Sequence, residues 1–227
     1  VVLKRYERNM KTLSEEENQQ LRNHKVCVIG CGGLGGYIIE MLGRLGIGYI
    51  TAVDGDVFDA SNLNRQILSN EATLGKSKAE TAKARMALVN SDVYVNAIVG
   101  KLNKENAEEI LQGHDIIIDA LDNIETRFIL QETAEKFNIP LVHGAIAGWY
   151  GQVTTILPGD RTLDVIYAKK DIRGVEKELG NPSFTPALVA SIEVSEVLKL
   201  LIGRGEILRR KILFINTLEL EYNIVEL

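Results

Sequence analysis

Short apolar runs alternate with stretches of helical periodicity through the first two-thirds of this 227-residue chain. Residues 25–29, Lys-Val-Cys-Val-Ile, run into Gly30 and read as a short buried strand. Beyond a glycine-rich turn, Ile38, Ile39, Leu42 and Leu45 recur at helical spacing, and Gly46 and Gly48 predict the stop. Further strands are predicted over 49–53, 93–99, 115–120 and 141–144. Helices are predicted over 76–90, with Ala79, Ala82, Met86 and Val89 inward, and over 104–112 and 124–137. Upstream, Ser14 with Glu17 three residues on is the signature of a capping box and predicts a helix over 15–22. The alternation predicts an α/β fold, a Rossmann-like doubly wound and mostly parallel sheet.

From Gly151 the pattern changes. Residues 152–157 read as a strand, 159–185 as a polar irregular stretch, and 186–202 as a helix with Pro186 near its first position. A closing antiparallel hairpin is predicted over 211–216 and 219–225. The whole reads as one domain: a helical segment 1–24, a nucleotide-binding core 25–157, a crossover loop 159–185, and a C-terminal helix and hairpin 186–227. A loop as long as 159–185 is unusual in a compact domain and points to a functional crossover.

Composition removes several classes of function. A formal charge of −5 argues against a general nucleic-acid binder, while leaving room for a local basic pocket. The apolar runs at 116–118 and 198–202 are too short to cross a bilayer. The N-terminal Val-Val-Leu-Lys-Arg lacks the extended apolar region of a secretory signal. Only Cys27 and Cys31 are cysteines, which excludes a disulfide framework and predicts a cytoplasmic setting. Two thiols and three scattered histidines do not make a four-ligand zinc site.

The candidate chemistry gathers after strand ends. Gly30-x-Gly32-Gly33-x-Gly35 follows a strand and opens a helix, and Asp54 ends the next strand. Glycines admit a phosphate close to the backbone, the helix N-terminus offers free N–H groups, and the acid suits ribose hydroxyls. Asp56, Asn62-Leu63-Asn64-Arg65-Gln66, Lys78, and Asp122-Asn123 with Arg127 all follow predicted strands. Cations, amides and a carboxylate together suit a triphosphate with its metal better than the two phosphates of a dinucleotide.

At these residues the chain resembles the adenylyltransferases of the ThiF/MoeB/HesA family, which activate ubiquitin-like sulfur carriers in thiamin and molybdopterin synthesis. That family shares its adenylation domain with ubiquitin-activating enzymes. Four motifs in order carry the likeness: Arg5-Tyr6-Glu7-Arg8, the glycine loop, residues 62–66, and residues 122–127. It covers residues 5–157 closely and 186–227 loosely. The resemblance implies an ATP- and Mg²⁺-dependent transfer of AMP to the carrier's C-terminal Gly-Gly carboxylate. It implies Asp54 on the ribose, with Asn62, Arg65 and Lys78 on the phosphates and Asp122 on Mg²⁺. It also implies a homodimer in which Arg8 reaches the partner's phosphates.

Plainer readings stand beside these. Arg65 and Lys78 could be solvated charges, Asp122 could cap the following helix, and Asp56 could serve its turn. His143 reads as a buried, satisfied histidine. Trp149 and Tyr150 either pack a core or border a channel for the carrier's tail. Cys31, at a helix N-terminus, could have a lowered pKa, but reads as a small filler rather than a nucleophile. Many relatives carry Cys-x-x-Cys pairs that bind zinc and a further cysteine in the crossover. None follows Cys31 here, so neither zinc nor an enzyme-linked thioester is expected. The competing functions are a nicotinamide oxidoreductase, an enzyme adenylating another carboxylate or a tRNA-linked substrate, and a non-catalytic partner subunit.

Overall fold

The computed structural model describes residues 2–168 and 176–227. A short 3-10 helix, Lys4–Asn9, leads into α1 (Glu15–Leu21), β1 (Lys25–Ile29), α2 (Gly33–Leu45) and β2 (Tyr49–Val53). Then follow α3 (Lys78–Val89), β3 (Tyr94–Ile98), α4 (Ala107–Leu111), β4 (Ile116–Asp119), α5 (Ile124–Lys136), β5 (Leu141–Ala147) and β6 (Tyr150–Ile156). The chain continues through α6 (Thr162–Ile166), α7 (Glu176–Leu179), α8 (Phe184–Ile202), β7 (Lys211–Asn216) and β8 (Glu221–Glu226).

The strands form one sheet in the order β3-β2-β1-β4-β5-β6-β7-β8. Strands β1 to β5 are mutually parallel, and β6, β7 and β8 extend the sheet antiparallel. This is the doubly wound sheet that the alternation predicts. Ile29 is in register with Val53 of β2 and with Asp119 of β4, so the loops at Gly30, Asp54 and Ala120 leave the sheet at one level. The strand order reverses between β1 and β4, where open sheets of this kind leave a crevice.

Strand alternation splits the core into two layers. Val26, Val28, Ile50, Ile118 and Val142 face Ile38, Ile39 and Leu42 of α2, Met86 of α3 and Val189 of α8. Cys27, Ile29, Ile117 and Leu141 face Leu111 of α4, Leu130 of α5 and Leu163 of α6. Each fully buried aliphatic side chain contributes about 1.5–3 kcal/mol. The sheet is thereby covered on both faces where the nucleotide motifs emerge.

Several boundaries differ from expectation. Strand β5 runs to Ala147 and turns at Gly148 straight into β6, because the half-buried 145–147 segment pairs with 150–152. Helix α8 starts at Phe184 and places Pro186 within its first turn, where the missing N–H costs nothing. The stretch 57–75 holds two 3-10 turns, Ala60–Asn62 and Glu71–Thr73, each closed by a reciprocal capping box. Within 159–185, the short α6 buries Leu163 and α7 precedes α8; residues 169–175 of the predicted crossover lie outside the described residues. No helix among the described residues is long and apolar enough to cross a membrane.

Candidate functional site

A cavity of about 400 Å³ opens where β1, β2 and β4 end. Gly30 takes φ +100°, and its N–H donates to the Val53 carbonyl at 2.8 Å. A Cβ there would lie 2.5 Å from the Ala120 carbonyl oxygen, and one at Gly35 would lie 1.7 Å from that of Gly30. Glycine is thus required by close approach of backbone as well as by φ. Gly32, the N-cap of α2, brings no side chain to the helix's first N–H groups, and with Gly33 it lines the cavity. Those N–H groups remain available to an anion.

The Asp54 carboxylate is fixed at the rim: one oxygen accepts from the Cys31 N–H and the other from the Asp56 N–H, both at 2.8 Å. Two acceptor oxygens with lone pairs to spare suit vicinal hydroxyls. Cys31 corrects an expectation. Burial, and after it the charge of Asp54, pushes its thiol well above the usual range, opposite to the lowering a helix N-terminus would give. The side chain is a buried filler.

Arg65 borders the cavity, with Nη1 donating to the Ser61 carbonyl at 2.9 Å and to Asn64 Oδ1 at 3.0 Å. No carboxylate pairs with it among the described residues. Lys78 is the first residue of α3 and only 8% exposed. A cation at this end of a helix opposes the helix dipole. Its near counter-charge is Asp56, 3.9 Å away, which also holds Lys101 at 3.2 Å. Such a lysine is suited to receiving an anion from outside the chain. Lys101, which the sequence did not single out, follows β3 and also lines the cavity.

Gln66 is buried against the glycine loop, and its Oε1 has no hydrogen-bond partner among the described residues. Asn62 is placed otherwise than expected, since it does not line the cavity. Its Oδ1 accepts from the Asp59 N–H at 3.0 Å, and its carbonyl accepts from the N–H groups of Arg65 and Gln66. It shapes the turn that carries the two.

Asn123 caps α5, accepting from the Thr126 N–H at 2.8 Å. Asp122 is not the cap: its carboxylate is exposed at the cavity. An exposed carboxylate at this cavity fits Mg²⁺, which keeps waters and phosphate oxygens as its other ligands. Among the described residues there is no cluster of three or more metal-ligating side chains. Arg8 is exposed on the Lys4–Asn9 segment and lies outside this cavity.

Arg127 is a wall rather than a free cation. It is 4% exposed, its Nε lies 3.4 Å from Asp119, and it donates to Tyr167 Oη and to the Leu121 carbonyl. Asp119 also binds His143 Nδ1 at 2.7 Å and the Leu121 N–H at 3.0 Å. Burial works to raise the Asp119 carboxyl, yet Arg127 and then His143 hold it below the usual range. Burial lowers His143 more than Asp119 raises it, so the ring is neutral. His143 is the buried, hydrogen-bonded histidine of the plainer reading.

A second, apolar cavity of about 550 Å³ lies between the β5–β6 turn and β7–β8. Tyr150, Tyr167, Leu179 and Phe214 line it, and Arg127, Ala145 and Ile146 are common to both cavities. Tyr150 therefore borders a groove, whereas Trp149 stacks on Phe184 with ring centroids 5.0 Å apart. The groove had no signal in the sequence beyond those aromatics, because its walls come from five separate segments.

A model described as the ThiF family matches residues 6–227. The SAMP-activating enzyme E1 of Haloferax volcanii is 34% identical over 98% of this chain and 84% of its own length. The sulfur carrier protein adenylyltransferase of Thermus thermophilus is also 34% identical, over 97% of this chain and 85% of its own. Among solved structures, E. coli MccB with ATP superposes with a TM-score of 0.85 at 21% identity, over 100% of this chain and 71% of that one. That last likeness is one of fold.

Proposed function

Because the chain belongs to the ThiF family, we propose that it is an ATP- and Mg²⁺-dependent adenylyltransferase acting on a ubiquitin-like sulfur carrier that ends in Gly-Gly. The observation that carries this reading is the meeting of two cavities at Arg127, Ala145 and Ile146. One is polar and offers phosphate-binding groups. The other is lined largely by apolar side chains.

The carrier's carboxylate is ionised near neutrality and needs no general base. Its oxygen bonds to the α-phosphorus as the bond to the bridging oxygen breaks, and pyrophosphate leaves with that electron pair. Asp54 holds the ribose, and the first N–H groups of α2 hold phosphate. Arg65 and Lys78 offset the repulsion between the two anions and the charge growing on pyrophosphate. Arg65 can do so with two parallel donors. Asp122, with Asn123 beside it, would hold Mg²⁺, which when bound screens the phosphate oxygens. Arg8, remote from its own cavity, serves the partner's phosphates in a homodimer.

The reaction stops at the acyl-adenylate. Cys27 and Cys31 are the only thiols of these 227 residues, and burial takes both out of reach and raises both above the usual thiol range. The adenylate therefore passes to an external sulfur donor or amine, in the reducing cytoplasm that such thiols suit. ATP–pyrophosphate exchange with candidate Gly-Gly-ending carriers tests the reading. Carrier-dependent exchange is expected; ATP binding without exchange for any carrier would overturn it. A carrier–enzyme adduct that survives denaturation and is cleaved by thiol would refute the last step alone.

A further inference from the structure

Asn181 lines the nucleotide cavity, yet nothing in the chemistry above uses it. It stands just ahead of α8. Its carbonyl accepts from Asn64 Nδ2 at 3.0 Å, and Asn64 Oδ1 accepts from Arg65 at the same distance. One residue back, the Gly180 carbonyl accepts from the Gly148 N–H at 2.7 Å, and Leu179 lines the apolar groove. The Gly148 carbonyl in turn takes the Thr185 hydroxyl at 2.6 Å. The segment 179–181 is thus tied on one side to the loop that bears Arg65 and on the other to the turn that closes the groove.

With the backbone fixed in this way, Asn181 Oδ1 is buried and has no hydrogen-bond partner among the described residues. An oxygen left so is destabilising unless a ligand completes it. It can only accept, so neither a phosphate nor a carboxylate satisfies it. ATP brings hydroxyl donors on its ribose, but these fall to Asp54, whereas Asn181 is held on the Arg65 side. A peptide N–H of a chain arriving through the groove is such a donor, and Leu179, two residues back, already borders that groove.

We propose that Asn181 binds the carrier's tail, its Oδ1 accepting from the N–H of the tail's last residue and so aiming the carboxylate at the α-phosphorus. This rests on the carrier-activating reading. It makes Asn181 a substrate-contacting residue and Asn64 the positioning residue that sets it.

The test uses an exchange-active carrier prepared by semisynthesis with either glycine or sarcosine last, since sarcosine lacks the N–H. Wild-type enzyme is expected to lose about tenfold in kcat/KM on the sarcosine carrier, as for one ordinary hydrogen bond. Asn181→Ala loses the same tenfold on the glycine carrier, keeps its KM for ATP and its melting temperature, and no longer distinguishes the two carriers. Asn181→Asp, which retains an acceptor oxygen, still distinguishes them and guards against a trivially unfolded alanine variant. Equal discrimination by wild type and Asn181→Ala, or a raised KM for ATP instead, overturns the inference alone. Absence of exchange by wild type despite ATP binding overturns the carrier-activating reading and this one with it.

Discussion

Glu193 on α8 is fully buried against Gly144 of β5, where an added Cβ would meet its carboxyl carbon at 2.4 Å. Neither carboxyl oxygen has a hydrogen-bond partner among the described residues. Burial, and after it the negative charge of Asp119, holds the proton on well above the ordinary value of 4.5, while Arg127 pulls the other way. Folding above that pH therefore takes up a proton at Glu193. A carboxyl whose pKa is raised by folding gives its full contribution below the unfolded pKa and loses it as pH rises through the folded one. The loss runs at up to about 1.4 kcal/mol per pH unit. Glu193→Gln keeps the shape and a neutral side chain but removes the titration. Between pH 5.5 and 7.5, wild type should lose stability relative to the variant, at no more than that slope. With an unfolding entropy near 2.1 cal/mol/K per residue, each 1 kcal/mol of that loss is roughly 2 °C in Tm for a chain of this length. His143, lowered by burial, contributes a slope of opposite sign below pH 6.5, but it is common to both proteins and cancels. Thermal melts of the two proteins at pH 5.5, 6.5 and 7.5 are the assay. Parallel curves would refute the reasoning, because they would mean that Glu193 is ionised in the folded state.

Three further outcomes are expected. Asp122→Ala should abolish Mg²⁺-dependent exchange at unchanged Tm, since its side chain is exposed and caps nothing. The same change one residue on, Asn123→Ala, should cost about 1 kcal/mol of stability through the lost cap; a reversed pattern in the melts would contradict the assignment of the two. Gly35→Ala should destroy ATP binding, because its Cβ would fall 1.7 Å from the Gly30 carbonyl oxygen; calorimetry finding wild-type affinity would show that the loop can shift. Native protein at pH 7.5 should resist iodoacetamide at both cysteines and react only on unfolding. Stoichiometric labelling of the folded protein, seen by mass spectrometry, would reopen a covalent mechanism.

The parts of the fold legible in the sequence were those whose signal is local. Five parallel strands and the helices between them follow from apolar runs and helical spacing, and the capping box at Ser14 and Glu17 is present as read. Helix α6 escaped because five residues are too few to establish a period, and β5 was cut short because Gly144 resembles a stop. Glycine is needed there for another reason, as the Glu193 carboxyl occupies the space of a side chain. In the site, strand-end placement picked out Asp54, Arg65, Gln66, Lys78 and Asp122, all of which border the cavity. It could not separate residues that face the cavity from residues that shape its walls, as Asn62 does through Asp59. Asn181 and Lys101 carry no motif. Each is brought to the cavity by packing of distant segments, and only the buried oxygen of Asn181, without a hydrogen-bond partner among the described residues, marks it.

Two arginines in similar sequence settings, Arg65 and Arg127, meet opposite fates, and the difference bears on how substrates would move. Arg127 is neutralised in the interior by Asp119, and breaking such a buried pair costs about 3–5 kcal/mol. A phosphate offers no more than the carboxylate it would replace, so Arg127 stays as the partition between the two cavities. Among the described residues Arg65 pairs with no carboxylate and Lys78 only with Asp56, 3.9 Å away, so their charge is available in the nucleotide cavity. The groove beyond the partition is lined largely by apolar side chains. A tail whose only charge is its terminal carboxylate is thus drawn through low-dielectric surroundings toward Arg65 and Lys78. On the carrier-activating reading this favours the tail entering end-first, with the reacting atom leading and the last peptide N–H passing beside Asn181.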